Sequence, residues 1–229
     1  FNAWGGKYAD LMADTGVPVE INRHLHLPVF DAGIVLEGGS IEVNGRGTVL
    51  TTEQCLLNPN RNPHLSRDRI EDHLRDYLGV SHVVWLGDGI VGDDTDGHID
   101  DIARFVDPTT VVCVVEDDPD DANYEPLAEN HQRLVAAVDQ DGRPLRVVTL
   151  PTPGPVSDAS GRLPASYANF YIGNAAVVVP VFGVQQDDQA LDILRACFPD
   201  RHVIGLDSRH MVAGLGAIHC CSQQQPAAR

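Results

Sequence analysis

The sequence predicts an α/β fold assembled from repeated strand-strand-helix-strand units, and three observations carry that prediction. Short apolar runs bounded by Gly, Pro and Asn occur in pairs. Each pair is followed by one segment of helical periodicity and then by one more apolar run. The unit returns every ~50 to 70 residues, with similar helix-to-strand joints at Leu78-Gly79-Val80, Leu145 to Leu150 and Phe198 to Leu206. A repeat of this kind points to a radial α/β array rather than a doubly wound sheet.

Residues 9–31 mix polar and apolar types with Pro18 and Pro28 and read as mostly loop. Ala32 to Gly39 reads as a buried strand ending in a glycine turn. Ile41-Glu42-Val43 and Thr48 to Thr52 form a hairpin across Asn44-Gly45, a strong turn signal. Between Ser66 and Gly79, Ile70, Leu74, Tyr77 and Leu78 fall on one helical face, with Ser66 as N-cap and Gly79 as C-cap. Val80 to Leu86 is the strand that completes the unit. The second unit comprises strands Ile99 to Val106 and Val111 to Val115 joined by Asp107-Pro108. It continues with a helix from Tyr124 to Val138, with Leu127, Leu134, Val135 and Val138 inward, and a strand from Leu145 to Leu150. Residues 151–166, rich in Pro, Gly and Ser, are a long loop, of the kind that is often functional. The third unit pairs Asn169 to Ile172 with Ala175 to Val179, then adds a helix over Asp188 to Cys197 and a strand over His202 to Leu206. The stretch from Gly214 to Cys220 reads as a short apolar strand entered through glycines, opening a fourth unit.

Composition narrows the function classes. A chain of 229 residues with 43% hydrophobic and 21% charged residues can bury an ordinary core. No apolar run approaches the ~18 residues of a membrane span. The five cysteines, Cys55, Cys113, Cys197, Cys220 and Cys221, are odd in number and irregular in spacing, without a CxxC. That favours a reducing, cytoplasmic setting over a disulfide framework or structural zinc. A formal net charge of -17 argues against nucleic acid and favours a small cationic partner. No membrane partner is expected, and a homo-oligomer is left open.

The chemistry-bearing residues recur near the first strand of each unit: Glu37, His98 with Asp100, Asn169, and Cys220. In a radial fold these positions converge on a central channel. A thiol at Cys220 is either a buried structural group or a nucleophile. Two carboxylates beside a thiol would repel the anion formed by attack on a neutral amide. They suit a planar cation instead, because a guanidinium makes bidentate hydrogen bonds to paired carboxylates. His98 could protonate a leaving group, and on a strand His98 and Asp100 would share a face. Each also has a plainer reading, Glu37 as a turn residue and His98 as a core histidine. Asp93, Asp94, Asp96, Asp100 and Asp101 have the look of a calcium loop, but Gly92 and Ala103 occupy its first and twelfth positions, where ligands are required. His219, next to Cys220, would point to the opposite face of a strand and so be structural.

Six stretches then resemble one family in order along the chain. They are Phe1 to Tyr8 (FNAWGGKY), Leu36 to Ile41 (LEGGSI), Cys55 to Pro63 (CLLNPNRNP), Asp96 to Asp100 (DGHID), Ala168 to Ile172 (ANFYI), and Ile218-His219-Cys220 with Gln223 to Pro226. Together they resemble the agmatine deiminases of the guanidine-modifying superfamily, close to the bacterial peptidylarginine deiminases. The resemblance implies a five-bladed, pseudo-symmetric α/β propeller, about three-fifths of it present, with residues 1–229 as a single deiminase catalytic domain. It implies Cys220 as nucleophile, His98 as general acid and then base, Asp100 gripping the guanidinium, and Glu37 bonding both the histidine and a substrate nitrogen. Asn169 joins Glu37 and Asp100 as a candidate substrate-binding residue. No cofactor or metal is implied. The implied reaction turns agmatine into N-carbamoylputrescine and ammonia through a covalent thiouronium. A peptidylarginine or free-arginine deiminase and a truncated non-catalytic homologue are the alternatives. The family's further substrate-binding aspartate, in an Arg-Asp-Thr-Gly-Pro motif, has no counterpart here beyond the faint echo of Ala13 to Pro18. The glycine triplet before the nucleophile is interrupted by Leu215, and Cys221 follows it where an aliphatic residue is usual.

Overall fold

The computed structural model describes residues 1–225, so Pro226 of the terminal motif lies outside the described residues. Its N-terminal part contains α1 (Ala3–Gly6), a 3-10 segment (Ala9–Gly16) and α2 (Val17–Leu25). Residues 9–25 are therefore helical, not loop. Pro18 does not prevent this, because it sits in the first turn, where its missing N–H has no helical acceptor to lose.

Three sheets follow, each of three strands in sequential order. The first holds β1 (Glu42–Val43), β2 (Thr48–Thr52) and β3 (His82–Leu86). The second holds β4 (Ala103–Asp107), β5 (Thr110–Val115) and β6 (Arg146–Pro151). A small hairpin, β7 (Ser157–Asp158) with β8 (Gly161–Arg162), interrupts the expected long loop, and the third sheet holds β9 (Tyr171–Ile172), β10 (Ala176–Val181) and β11 (His202–Asp207). In every sheet the first pair is antiparallel and the second parallel, with registers Glu42↔Leu50 and Leu50↔Val84, Arg104↔Val112 and Val112↔Val148, Val178↔Tyr171 and Val178↔Ile204.

A parallel neighbour requires a crossover. After the short α3 (Glu53–Leu56), α4 (Arg67–Leu78) provides the first crossover. α5 (Tyr124–Ala136) and α6 (Gln186–Cys197) provide the others, and α7 (Arg209–Val212) follows β11. The Ser66 hydroxyl caps α4 by accepting from the Arg69 amide, and Gly79 ends it at φ 68°. Ile70 and Leu74 are buried as expected, whereas Tyr77 and Leu78 on the same predicted face remain exposed. In α5, Leu127 and Leu134 are buried and Val135 is exposed. α5 packs on β5 and β6 of its own sheet and on β3 of the preceding one, and α6 likewise on β11 and β6. α5 and α6 thus each close their own sheet and cover the outer strand of the unit before.

Arg104 ties the three units together. Its Nε donates to Glu42 Oε2 of the first unit at 2.8 Å, and its Nη1 to the Phe170 and Ala168 carbonyls of the third at 2.8 and 3.2 Å.

Three predicted strands take other forms. Residues 32–36 form no ladder, because the Asn62 side chain satisfies both the Val35 amide and carbonyl at 2.9 and 2.8 Å, as a neighbouring strand would. Ile99–Asp101 is a 3-10 turn that precedes β4. The segment 214–221 is turn, entered at Leu215 with φ 65°.

Candidate active site

The site is assembled from irregular segments held at the ends of the sheets. The first is the loop 93–101. Asp93 accepts from the backbone N–H groups of Thr95, Gly97 and His98 at 2.7, 3.0 and 3.0 Å, folding the loop around its own carboxylate. The Thr52 hydroxyl, at the end of β2, donates to the Gly97 carbonyl at 2.6 Å. His98 and Asp100 do line one cavity, as their spacing suggested, but through the 3-10 turn and not through a pleat. The remaining acidic residues are committed to internal partners, which removes the calcium reading. Asp96 binds Lys7, Asn60 and Arg61, and Asp94 binds the Tyr8 hydroxyl.

The second segment carries Glu37, which is 7% exposed. Its Oε1 accepts from Arg61 Nε at 2.8 Å, and Arg61 Nη1 reaches Asp96 at 2.6 Å. The predicted hydrogen bond between Glu37 and His98 is replaced by this ion pair with a fully buried guanidinium. Glu37 Oε2, Asp100 Oδ1 and His98 Nε2 are buried without hydrogen-bond partners among the described residues. Gly39 has to be glycine. A Cβ there would lie 2.5 Å from His98 Nδ1 and 3.0 Å from Asp100 Oδ2.

The third segment is the turn Ile218–Cys221. Asn169 holds it. Its Oδ1 accepts from the His219 and Cys220 amides at 2.9 and 3.2 Å. Its Nδ2 lies 2.9 Å from Asp101 Oδ1 and 3.0 Å from Cys220 Sγ. Asn169, a candidate substrate-binding residue in the sequence, lines neither cavity beside Cys220, and its amide is fully engaged. Its position is that of a support for the cysteine turn. Because the segment is a turn and not a strand, His219 also swings inward: its Nδ1 lies 2.7 Å from Asp100 Oδ2, which in turn lies 3.6 Å from Cys220 Sγ.

These segments enclose a cavity of about 610 Å³ lined by Glu37, His98, Asp100, Cys220 and an aromatic wall of Phe1, Trp4 and Tyr8. Trp4 meets Phe1 and Tyr8 edge to face, with centroids 5.0 and 5.6 Å apart. A second cavity, of about 550 Å³, shares Gly38, Gly39 and Cys220 with the first and reaches Arg104, Tyr171 and His219. The aromatic wall, Asp93, Arg61 and the inward His219 escaped sequence reasoning. Only the density of aromatics in Phe1 to Tyr8 pointed toward the first of these.

The electrostatics divide the carboxylates. Burial opposes ionisation of Asp100, yet the His219 hydrogen bond and the nearby His98, His219 and Arg104 hold it below the ordinary carboxylate value. Asp101, its neighbour, is driven well above that value by burial and then by the charges of Asp100 and Asp93. Cys220 opens onto both cavities, but its sulfur sits against Asn169 and Asp100. Burial, followed by Asp101 and Asp100, pushes its thiol far up. The resting site thus favours a neutral thiol beside an ionised Asp100.

Residues 1–226 match the model of the Porphyromonas-type peptidyl-arginine deiminase family. The chain belongs to that family. An agmatine deiminase of Medicago truncatula is 44% identical over 252 residues, which is 99% of this chain and 67% of the plant protein. A Legionella pneumophila relative, named as a candidate agmatine deiminase, is 43% identical over 227 residues, 98% of this chain. The solved agmatine deiminase of Enterococcus faecalis superposes with a TM-score of 0.88 at 39% identity, covering 99% of this chain and 68% of that one. The chain spans 65% of the length of the Legionella relative.

Proposed function

We propose that this deiminase-family chain carries the catalytic thiol side of an agmatine deiminase, hydrolysing the guanidinium of agmatine to N-carbamoylputrescine and ammonia. The observation that carries the reading is the pair of buried, unpartnered carboxylate oxygens, Glu37 Oε2 and Asp100 Oδ1, in the same cavity as Cys220. Buried acceptors without donors are costly, and a planar cation with several N–H groups would satisfy both. The names of the plant and Enterococcus relatives support agmatine as that cation.

The raised thiol fits this chemistry. A guanidinium seated between Glu37 and Asp100 offsets the carboxylate charges that hold the proton on Cys220, so substrate binding promotes the thiolate: the S–H bond breaks and its proton passes to His98, which lines the same cavity. Sγ then attacks the guanidinium carbon, forming the S–C bond as the π electrons move onto a nitrogen. His98 protonates that nitrogen, ammonia leaves, and a thiouronium remains. Water deprotonated by His98 adds to the same carbon. The S–C bond breaks, returning the thiol and releasing the ureido product.

The internal repeat supports a five-bladed α/β propeller in which three ββαβ units of this chain form part of the ring, with the site at its centre. Residues 1–229 act as a single catalytic domain in the cytoplasm.

The test is ammonia release from agmatine, free arginine and an arginyl peptide by this protein and by Cys220→Ala and Cys221→Ala. Agmatine turnover that disappears with Cys220→Ala and survives Cys221→Ala supports the assignment. Turnover of arginine or the peptide in place of agmatine would reassign the substrate, and loss with Cys221→Ala alone would reassign the nucleophile.

A further inference from the structure

Cys55 is not used by the chemistry above, yet it stands beside it. It is fully buried in α3, one turn after the Thr52 cap, and lines neither cavity. Its sulfur, a carboxylate oxygen of Glu37 and a ring nitrogen of His98 all lie within 4.8 Å of one another. Glu37 and His98 are 7% and 4% exposed, and each carries a buried polar atom without a partner among the described residues, Oε2 and Nε2.

We propose that Glu37, Cys55 and His98 form a binding site for a thiophilic divalent cation, with Zn²⁺ as the physiological type, and that its occupation blocks the reaction. The proposal goes beyond the deiminase reading. Only the blocking effect rests on that reading; the binding does not.

The donor set is sulfur, imidazole nitrogen and carboxylate oxygen, the set that tetrahedral zinc takes. Zinc bonds of 2.0 to 2.3 Å place neighbouring ligands about 3.5 Å apart, so a contraction of about an ångström closes the site. Two of the three ligands, Glu37 and His98, line the first cavity, so a cation can reach them from it. The nearest cation, Arg61, does not forbid a metal. It holds Glu37 by Oε1, leaving Oε2, and its own charge is matched by Asp96 at 2.6 Å. On binding, the Cys55 S–H bond breaks, the S–Zn bond forms and the proton passes to solvent. Glu37 and His98 contribute lone pairs, and no electron is transferred. A neighbouring cluster of Asp100, Asp101 and Cys220 is the less suitable site. Two of its three donors are hard oxygens, and Asp101 is already committed to Asn169.

The experiment is a titration of the 229-residue chain carrying Cys220→Ala and Cys221→Ala with Cd²⁺, read by thiolate-to-metal absorption, followed by displacement with Zn²⁺. The expected result is one equivalent bound. Affinity should fall at least tenfold when Cys55→Ala is added. Should that variant fold poorly, Glu37→Gln in the same background keeps the thiol and should also weaken binding tenfold or more. Unchanged affinity in a folded variant would overturn the site, as would one-equivalent binding that the wild-type chain shows and the Cys220→Ala, Cys221→Ala chain lacks. In turnover assays, Cys55→Ala should keep the basal rate and require at least tenfold more Zn²⁺ for half inhibition. A protein without deiminase activity would still give the Cd²⁺ result, so the two readings fail separately.

Discussion

Asn169 Nδ2 lies 3.0 Å from Cys220 Sγ while the same side chain's Oδ1 accepts from the amides of His219 and Cys220. One amide therefore fixes both the turn and the thiol. Its own orientation is set from the far side by Asp101 Oδ1 at 2.9 Å. Asn169→Ala should lower kcat at least about tenfold and leave KM within about threefold, because the thiol loses its alignment while the carboxylate pair is untouched. A rise in KM at constant kcat would return Asn169 to substrate binding.

Much of this was legible in the chain itself. The ββαβ units read correctly because their strands alternate with capped amphipathic helices, and Ser66 and Gly79 fix α4 to the residue. The candidate site residues come from motifs, which carry no geometry, and the misread segments around them share one cause. Residues 32–36 and 214–220 are short and mostly apolar, and 99–101 lead directly into the apolar run that ends at Val106, which suggests strand. Their backbone groups are instead satisfied by side chains and local turns, as with Asn62 on Val35 and Asn169 on His219 and Cys220. Side-chain partners from distant parts of the chain leave no periodic signal. The inward position of His219 follows from that misread strand.

The adjacent carboxylates Asp100 and Asp101 should respond oppositely to pH. Asp101 has a folded value raised above its unfolded one. Its contribution to stability is therefore full below the ordinary carboxylate range and is lost as pH rises through the folded value. Asp101→Asn removes that loss and can keep Oδ1 as acceptor for Asn169. It should raise Tm at pH 7 and leave it nearly unchanged at pH 4, with about 2–4 °C for each kcal/mol gained. Asp100, held low, contributes stability above the ordinary carboxylate range that is lost in acid. Asp100→Asn should therefore lower Tm at pH 7 more than at pH 4. Thermal melts of both variants at the two pH values decide it, and a lower Tm for Asp101→Asn at pH 7 would contradict the assignment.

Arg61 is a buried hub whose removal should cost far more than a surface ion pair. Its side chain is fully buried, and it serves Glu37, Asp96, Asn60 and the Thr95 carbonyl. Breaking a buried pair by deleting one partner costs roughly 3–5 kcal/mol. Arg61→Met should destabilise by about that amount in urea unfolding, and Arg61→Lys should recover only part of it, because a single ammonium cannot span the guanidinium's acceptors. By contrast Arg23→Ala, whose pair with Glu20 is exposed, should change stability by less than about 1 kcal/mol.

The last prediction concerns the two ends of the array. β3 and β6 are each covered by the helix of the following unit, α5 and α6. No such helix follows β11 among the described residues, and Ile204 and Leu206 on that edge strand are 49% and 45% exposed. At the other end, Val19 and Ile21 of α2 are more than half exposed, and Phe30 is 80% exposed. Open strand edges and contiguous apolar flanks drive association, and in a closed propeller both flanks would be buried against neighbouring units. The 229-residue chain by itself should therefore run as an oligomer or aggregate in size-exclusion chromatography at micromolar concentration. Ile204→Lys with Leu206→Lys should reduce that association, as should Val19→Glu with Phe30→Glu at the other end, and the four together should reduce it most. None of these positions lines the cavity that holds Cys220, so the surface variants should leave the reactivity of Cys220 toward a cationic haloacetamidine unchanged. A wild-type chain that elutes as a monomer at all concentrations would remove the support that these exposed flanks give to the propeller.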